Sequence, residues 1–250
     1  MSDGRPQSGR DGRLSERERT RIEGRFGAVL LLLFVAVFFS IAAPKGSWAL
    51  LLTTLVLAVT LAIAMLASGV SVRAVRAWLG VAVAGVGLSA LIAVTQEARI
   101  AGGYLAITSL VLTAATIGAI ARRVWQHVEI SVVTVLGAVC IYVLLGMSFA
   151  FIFECIEEFS SRPFFTAQEA GTRSDFAYFS FVTMATVGYG DLTAQGGLGR
   201  AFAVTEGLLG QIYLVTTVAA LVGNLGRTRK PSEDEEIDRA RQARDESSPG

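Results

Sequence analysis

The strongest chemical signal in this chain is one unbroken run: Thr186, Val187, Gly188, Tyr189, Gly190 and Asp191. A short extended segment of this composition can aim its backbone carbonyls at one axis, where they replace water around a dehydrated cation. Gly188 and Gly190 tolerate positive φ, which lets successive carbonyls face the same way. Val187 and Tyr189 can then turn outward and pack against the surrounding protein. Thr186 can add a hydroxyl oxygen at the inner end, and Asp191 places a carboxylate at the outer mouth. This is coordination by oxygen, so neither an enzymatic reaction nor a cofactor is expected.

The segment needs a mount. Residues 176–185 are apolar and run directly into it, and they are far too short to cross a bilayer. They read as a re-entrant helix capped by Ser174 or Asp175, an acid there also suiting the helix dipole. The partially negative C-terminus of that helix would point at the membrane centre, where a cation needs help. Tyr178 and Phe179 supply aromatic bulk near Tyr189, and Val182 and Thr183 support the turn into the run. Glu154, Glu157, Glu158, Glu169 and Asp175 share the preceding stretch. They read either as a charge cluster that concentrates cations or as an ordinary solvated loop.

The rest of the chain is membrane-like. Of 250 residues, 52% are hydrophobic and 17% charged, and the mean hydropathy is +0.55. Apolar stretches near the roughly 20 residues a span requires occur at 26–43, 48–67, 77–95, 104–121, 130–153 and 201–223. The expected fold is all-α: six transmembrane helices plus the re-entrant helix and its loop. The first stretch is read as a retained span, because it is longer than a usual signal-peptide core and Pro44 would follow the cut.

Charge sets the orientation. The tail before Phe26, the 73–76 and 122–123 connections and the tail after the last span hold 17 of the 22 basic residues. By the positive-inside rule both termini are cytoplasmic and the filter opens outward, in a multi-pass protein of the cell membrane. The basic N-terminal tail, 1–25, reads as mostly disordered and suits anionic lipid, although a topology signal suffices to explain it. The C-terminal tail, 227–250, has acids leading bases and suits a short capped helix. Neither tail suggests nucleic acid as a partner, and no nucleotide- or calcium-binding domain is expected in this chain.

Residues 130–226 resemble the pore domain of tetrameric potassium channels, the motif 183–191 (Thr-Met-Ala-Thr-Val-Gly-Tyr-Gly-Asp) carrying most of the resemblance. Gly199-Arg200-Ala201-Phe202-Ala203 is also similar to the start of the inner helix in bacterial members. The resemblance implies an outer helix at 130–153, a turret at 154–174, a pore helix at 176–185, a filter at 186–191 and an inner helix at 200–224. It implies K+ bound at Thr186, Val187, Gly188 and Tyr189, with Gly190 completing the filter, and four copies around one axis, because one chain carries one filter. It places a gating hinge at Gly210, with Gly207 nearby, although both glycines would equally permit close helix packing. Two departures stand out. Ala185 replaces a common threonine, and Val182 occupies the place of a glutamate that pairs with the mouth aspartate in some members.

Glu206 is an acid within a span, a position that faces protein or water and tends to be functional. Bonding to the back of the pore helix is its expected role, with lining the cavity second. The four-helix domain at 26–123 is not expected to sense voltage, because span 104–121 carries no charged residue. Arg122 and Arg123 read as topology anchors, Gly85 and Gly87 as helix-packing glycines, and His127 as an interfacial histidine. Cys140 and Cys155 lie about 22 Å apart if helical and cannot bond within one chain. They read as small buried hydrophobes, with a Cys155 bridge between subunits as the alternative. Two further readings stay open beside a potassium channel: a weakly selective cation channel, and an assembly or sensor subunit with a silent pore.

Overall fold

The computed structural model describes residues 26–42, 58–95, 98–125, 132–166 and 170–225. The helices are α1 (Phe26–Ala42), α2 (Ala58–Ala67), α3 (Val72–Thr95), α4 (Ala98–Trp125), α5 (Val132–Phe159), α6 (Arg173–Met184) and α7 (Gly197–Leu225). Val72–Ile92, Ile100–Trp125, Thr134–Phe159 and Gly197–Gly223 are long and apolar enough to cross a membrane. α1 and α2 are shorter apolar helices. Residues 48–57 of the expected second span lie outside the described residues, as do both tails, His127 and Glu169.

Local chemistry explains the joints. α2 ends at Gly69, whose φ is +79°. Its amide bonds to Leu66 O at 3.1 Å, and the Val70 amide reaches back to Met65 O at 3.1 Å. That paired pattern closes a helix around a left-handed residue. Ser71 then caps α3 by accepting from the Ala74 amide. Gly85 of α3 lies so close to Thr108 of α4 that no side chain fits between them.

Two apolar clusters organise the packing. One joins Phe26, Val29 and Leu33 of α1 to Leu61 and Ala64 of α2, Ile120 of α4, and Cys140, Leu144 and Met147 of α5. The other is aromatic: Phe149 and Phe153 of α5, Phe164 and Phe165 of the following loop, and Phe176 and Phe179 of α6. A compact unit closes at Leu214, and residues from Val215 onward form a second unit.

Two expected boundaries are corrected. α5 continues to Phe159 rather than stopping at 153, because hydropathy drops where the acids begin while helical geometry does not. α6 starts at Arg173 rather than at Phe176, and its N-cap is Thr172 rather than Ser174 or Asp175. Thr172 Oγ1 accepts from the Asp175 amide, and the Asp175 carboxylate accepts from the Thr172 amide at 2.8 Å. Asp175 is therefore the third residue of a capping box.

Candidate functional site

The end of α6 folds back to hold the run that follows it. The Ala185 amide donates to Phe181 O at 3.0 Å, Thr186 to Thr183 O at 2.9 Å, and Val187 to Val182 O at 2.9 Å. The Val182 carbonyl also receives Gly188 N–H at 3.4 Å. Val182 and Thr183 thus support the segment through their backbone oxygens. With its first amides turned toward α6, the segment presents carbonyls.

Its backbone alternates. φ is +57° at Thr186, +56° at Gly188 and +80° at Gly190, with no positive φ at Val187 or Tyr189. Alternation of positive with non-positive φ turns successive peptide planes, which glycine at 188 and 190 permits. Among the described residues Thr186 is the one non-glycine with positive φ. A β-branched residue resists that conformation, and such strain clusters at functional sites.

Tyr178 braces the outer half. Its ring stacks on Tyr189 with centroids 6.4 Å apart and planes 5° from parallel, and its hydroxyl lies near the Asp191 carboxylate. Asp191 therefore has a polar neighbour in Tyr178, one that the valine at position 182 gives no reason to expect. Phe179 turns the other way, 5.2 Å from Phe153 and 5.5 Å from Phe165. It anchors α6 in the aromatic cluster rather than packing on Tyr189.

Phe164 and Phe165 belong to no motif that would mark them in the sequence, yet they lock the loop in place. Phe164 lies 4.9 to 5.8 Å from Phe153, Phe165, Phe176 and Phe179. Beside them the Thr166 amide bonds to Thr193 O at 3.0 Å, and the Gln195 amide to Phe164 O at 2.8 Å. The stretch before α6 is thereby stitched to the stretch that follows Asp191. Arg200 Nε closes the same corner on Ala194 O at 3.0 Å.

Of the acidic cluster, Glu154, Glu157, Glu158 and Asp175 make structural contacts rather than lying in a solvated loop, and Glu169 lies outside the described residues. Glu154 is buried and takes both Nε and Nη2 of Arg173, at 3.1 and 3.0 Å. The Arg173 guanidinium also lies 5.7 Å over the Phe151 ring. Buried Glu157 accepts from the Phe164 amide, Asp175 is in the capping box, and Glu158 packs on Gly102. Their contacts fix the C-terminal end of α5 and the start of α6.

On α7, Glu206 is 0% exposed, and its Oε1 is hydrogen-bonded to Ser180 of α6. Gly210 sits against the end of α6, where an added Cβ would lie 2.7 Å from Met184 Cγ and 3.1 Å from Met184 O. Gly207 is looser, its nearest neighbour being Thr183 O at 4.0 Å. α7 runs unbroken through both glycines. Tyr142 of α5 donates to Met184 O at 3.3 Å and stacks with Tyr213, whose hydroxyl reaches Ala138 O at 2.7 Å.

Residues 131–226 match the model of a family described as ion channel. No curated protein matches the chain. The match indicates ion-channel function for this part of the chain, and the apolar helices imply a membrane protein.

Proposed function

We propose that the protein is a potassium-selective channel, conducting passively through a filter at residues 186–190 shared by four copies of the chain. One observation carries the reading: the alternation of positive φ at Thr186, Gly188 and Gly190 within the Thr-Val-Gly-Tyr-Gly sequence. Such a backbone offers stacked carbonyl oxygens as a substitute for a hydration shell. K+ is the permeant ligand at Thr186, Val187, Gly188 and Tyr189, and Asp191 shapes the outer mouth.

Four copies are required because a single segment supplies only one wall of a passage. The exposure of the segment supports this: Val187 is 51% and Tyr189 69% exposed, far more than a braced filter would leave open. Val204, Leu208, Leu209 and Ile212 of α7 are exposed apolar residues on the same unit. A cavity of about 560 Å³ between Tyr178, the filter and Val204 gives a neighbouring copy a place to seat.

Gating by an arginine sensor is not part of the proposal. α4 carries basic residues in its last turn, Arg122 and Arg123, and none within 104–121. Charges must lie inside the field to feel it. The testing experiment is ion selectivity of the reconstituted protein under opposed K+ and Na+ gradients. A reversal at zero would favour the weakly selective reading.

A further inference from the structure

Glu206 has a part that conduction itself does not require. Ser180 Oγ lies 2.6 Å from the Gly146 carbonyl oxygen of α5, and it also contacts Glu206 Oε1 of α7 at hydrogen-bond distance. A serine hydroxyl has one proton, and a carbonyl oxygen has none. If that proton points to Gly146, nothing lies between Ser180 and Glu206 unless the carboxyl supplies it. If it points to Glu206, the Gly146 contact is left as two bare oxygens well inside the usual range for O–H···O bonds. Both contacts close only when the carboxyl brings a proton of its own.

The surroundings agree. Glu206 Oε2 is buried and has no hydrogen-bond partner among the described residues. A charged carboxylate with a bare oxygen inside a span is costly, whereas the carbonyl oxygen of a neutral carboxyl loses far less. Tyr142 is the titratable group facing it from α5. The charges of α6, Arg173 and Asp175, lie in its first turn, away from Ser180, and Arg200 lies six residues earlier on α7.

We propose that Glu206 is a positioning residue acting as a proton-bearing carboxyl: it donates to Ser180, Ser180 donates to Gly146, and the chain of bonds ties α7 through α6 to α5 directly behind the filter. Met184 and Gly210 lie one turn further along the same contact, so a shift of α7 would reach the filter through this tie. The electrical readout rests on the potassium reading above, while the spectroscopic one does not.

The test uses the full chain reconstituted in vesicles, as wild type, Glu206→Gln, Glu206→Ala and Ser180→Ala. Glutamine keeps a donor and an acceptor in place, so Glu206→Gln should hold K+/Na+ selectivity within about twofold of wild type. Glu206→Ala and Ser180→Ala should each lower it by about fivefold or more, the scale of one lost hydrogen bond. Infrared difference spectra should show a protonated carboxyl C=O band that vanishes in Glu206→Gln and moves to higher frequency in Ser180→Ala. Three results would overturn the proposal: Glu206→Gln failing as badly as Glu206→Ala, all variants matching wild type, or wild type showing only carboxylate bands. If no variant conducts, the infrared arm still decides the proton's place.

Discussion

At the scale of single residues, the run 186–191 holds most of what the sequence reveals about the site. Glycine at 188 and 190 is where a positive φ is needed, and the structure has +56° and +80° there. Gly188→Ala would force a Cβ into that conformation at about 1–2 kcal/mol per subunit. We expect it to abolish K+ selectivity while leaving the assembled protein in place, as read by reversal potential and native mass. Tyr178 is legible as bulk near Tyr189, but not as a neighbour of Asp191, because its reach depends on where α6 begins. Tyr178→Phe should keep selectivity and shorten the conducting state, measured as mean open time in single-channel records; unchanged open times would count against the brace. The roles of the acids are hidden for a related reason. Sequence shows charge but not Arg173, nineteen residues away from Glu154, coming to sit on it.

At the scale of elements, the helices are legible and their ends are not. Apolar runs locate the parts of helices that face lipid or core, whereas ends are set by hydrogen bonds that hydropathy does not record. Thr172 caps α6 because its hydroxyl and Asp175 exchange bonds, an exchange that hydropathy leaves unmarked. Thr172→Ala should cost about 1 kcal/mol. Glu154→Gln, which removes the charge that faces a mostly buried Arg173, should cost about 3–5 kcal/mol. Thermal unfolding of the detergent-purified protein checks both, and Glu154→Gln must show the larger fall. Phe164 and Phe165 have a fainter signal: two adjacent phenylalanines in a polar stretch, followed by Phe176 and Phe179 three residues apart. Their meeting is a tertiary event, so spacing alone does not announce it.

At the scale of the whole molecule, α1, α2 and α4 pack against α5 through Phe26, Leu61 and Ile120, and α6 is held to α5 by the aromatic cluster. The membrane class is legible from composition alone. The proposed assembly has only indirect support in the sequence, because a single 186–190 segment per chain would need copies to close a ring. Native mass measurement of the solubilised protein should give four copies, and a monomer or dimer would remove the basis for a closed filter. Replacing Arg122 and Arg123 together with glutamine should leave the conductance–voltage relation unmoved, since both lie in the last turn of α4; a shift along the voltage axis would show that they sense the field. The most direct test of the central claim is the reversal potential of the purified protein in planar bilayers with K+ and Na+ in opposed gradients. A reversal close to the potassium equilibrium potential is the predicted result. A reversal near zero would contradict a filter built from the carbonyls of residues 186–190.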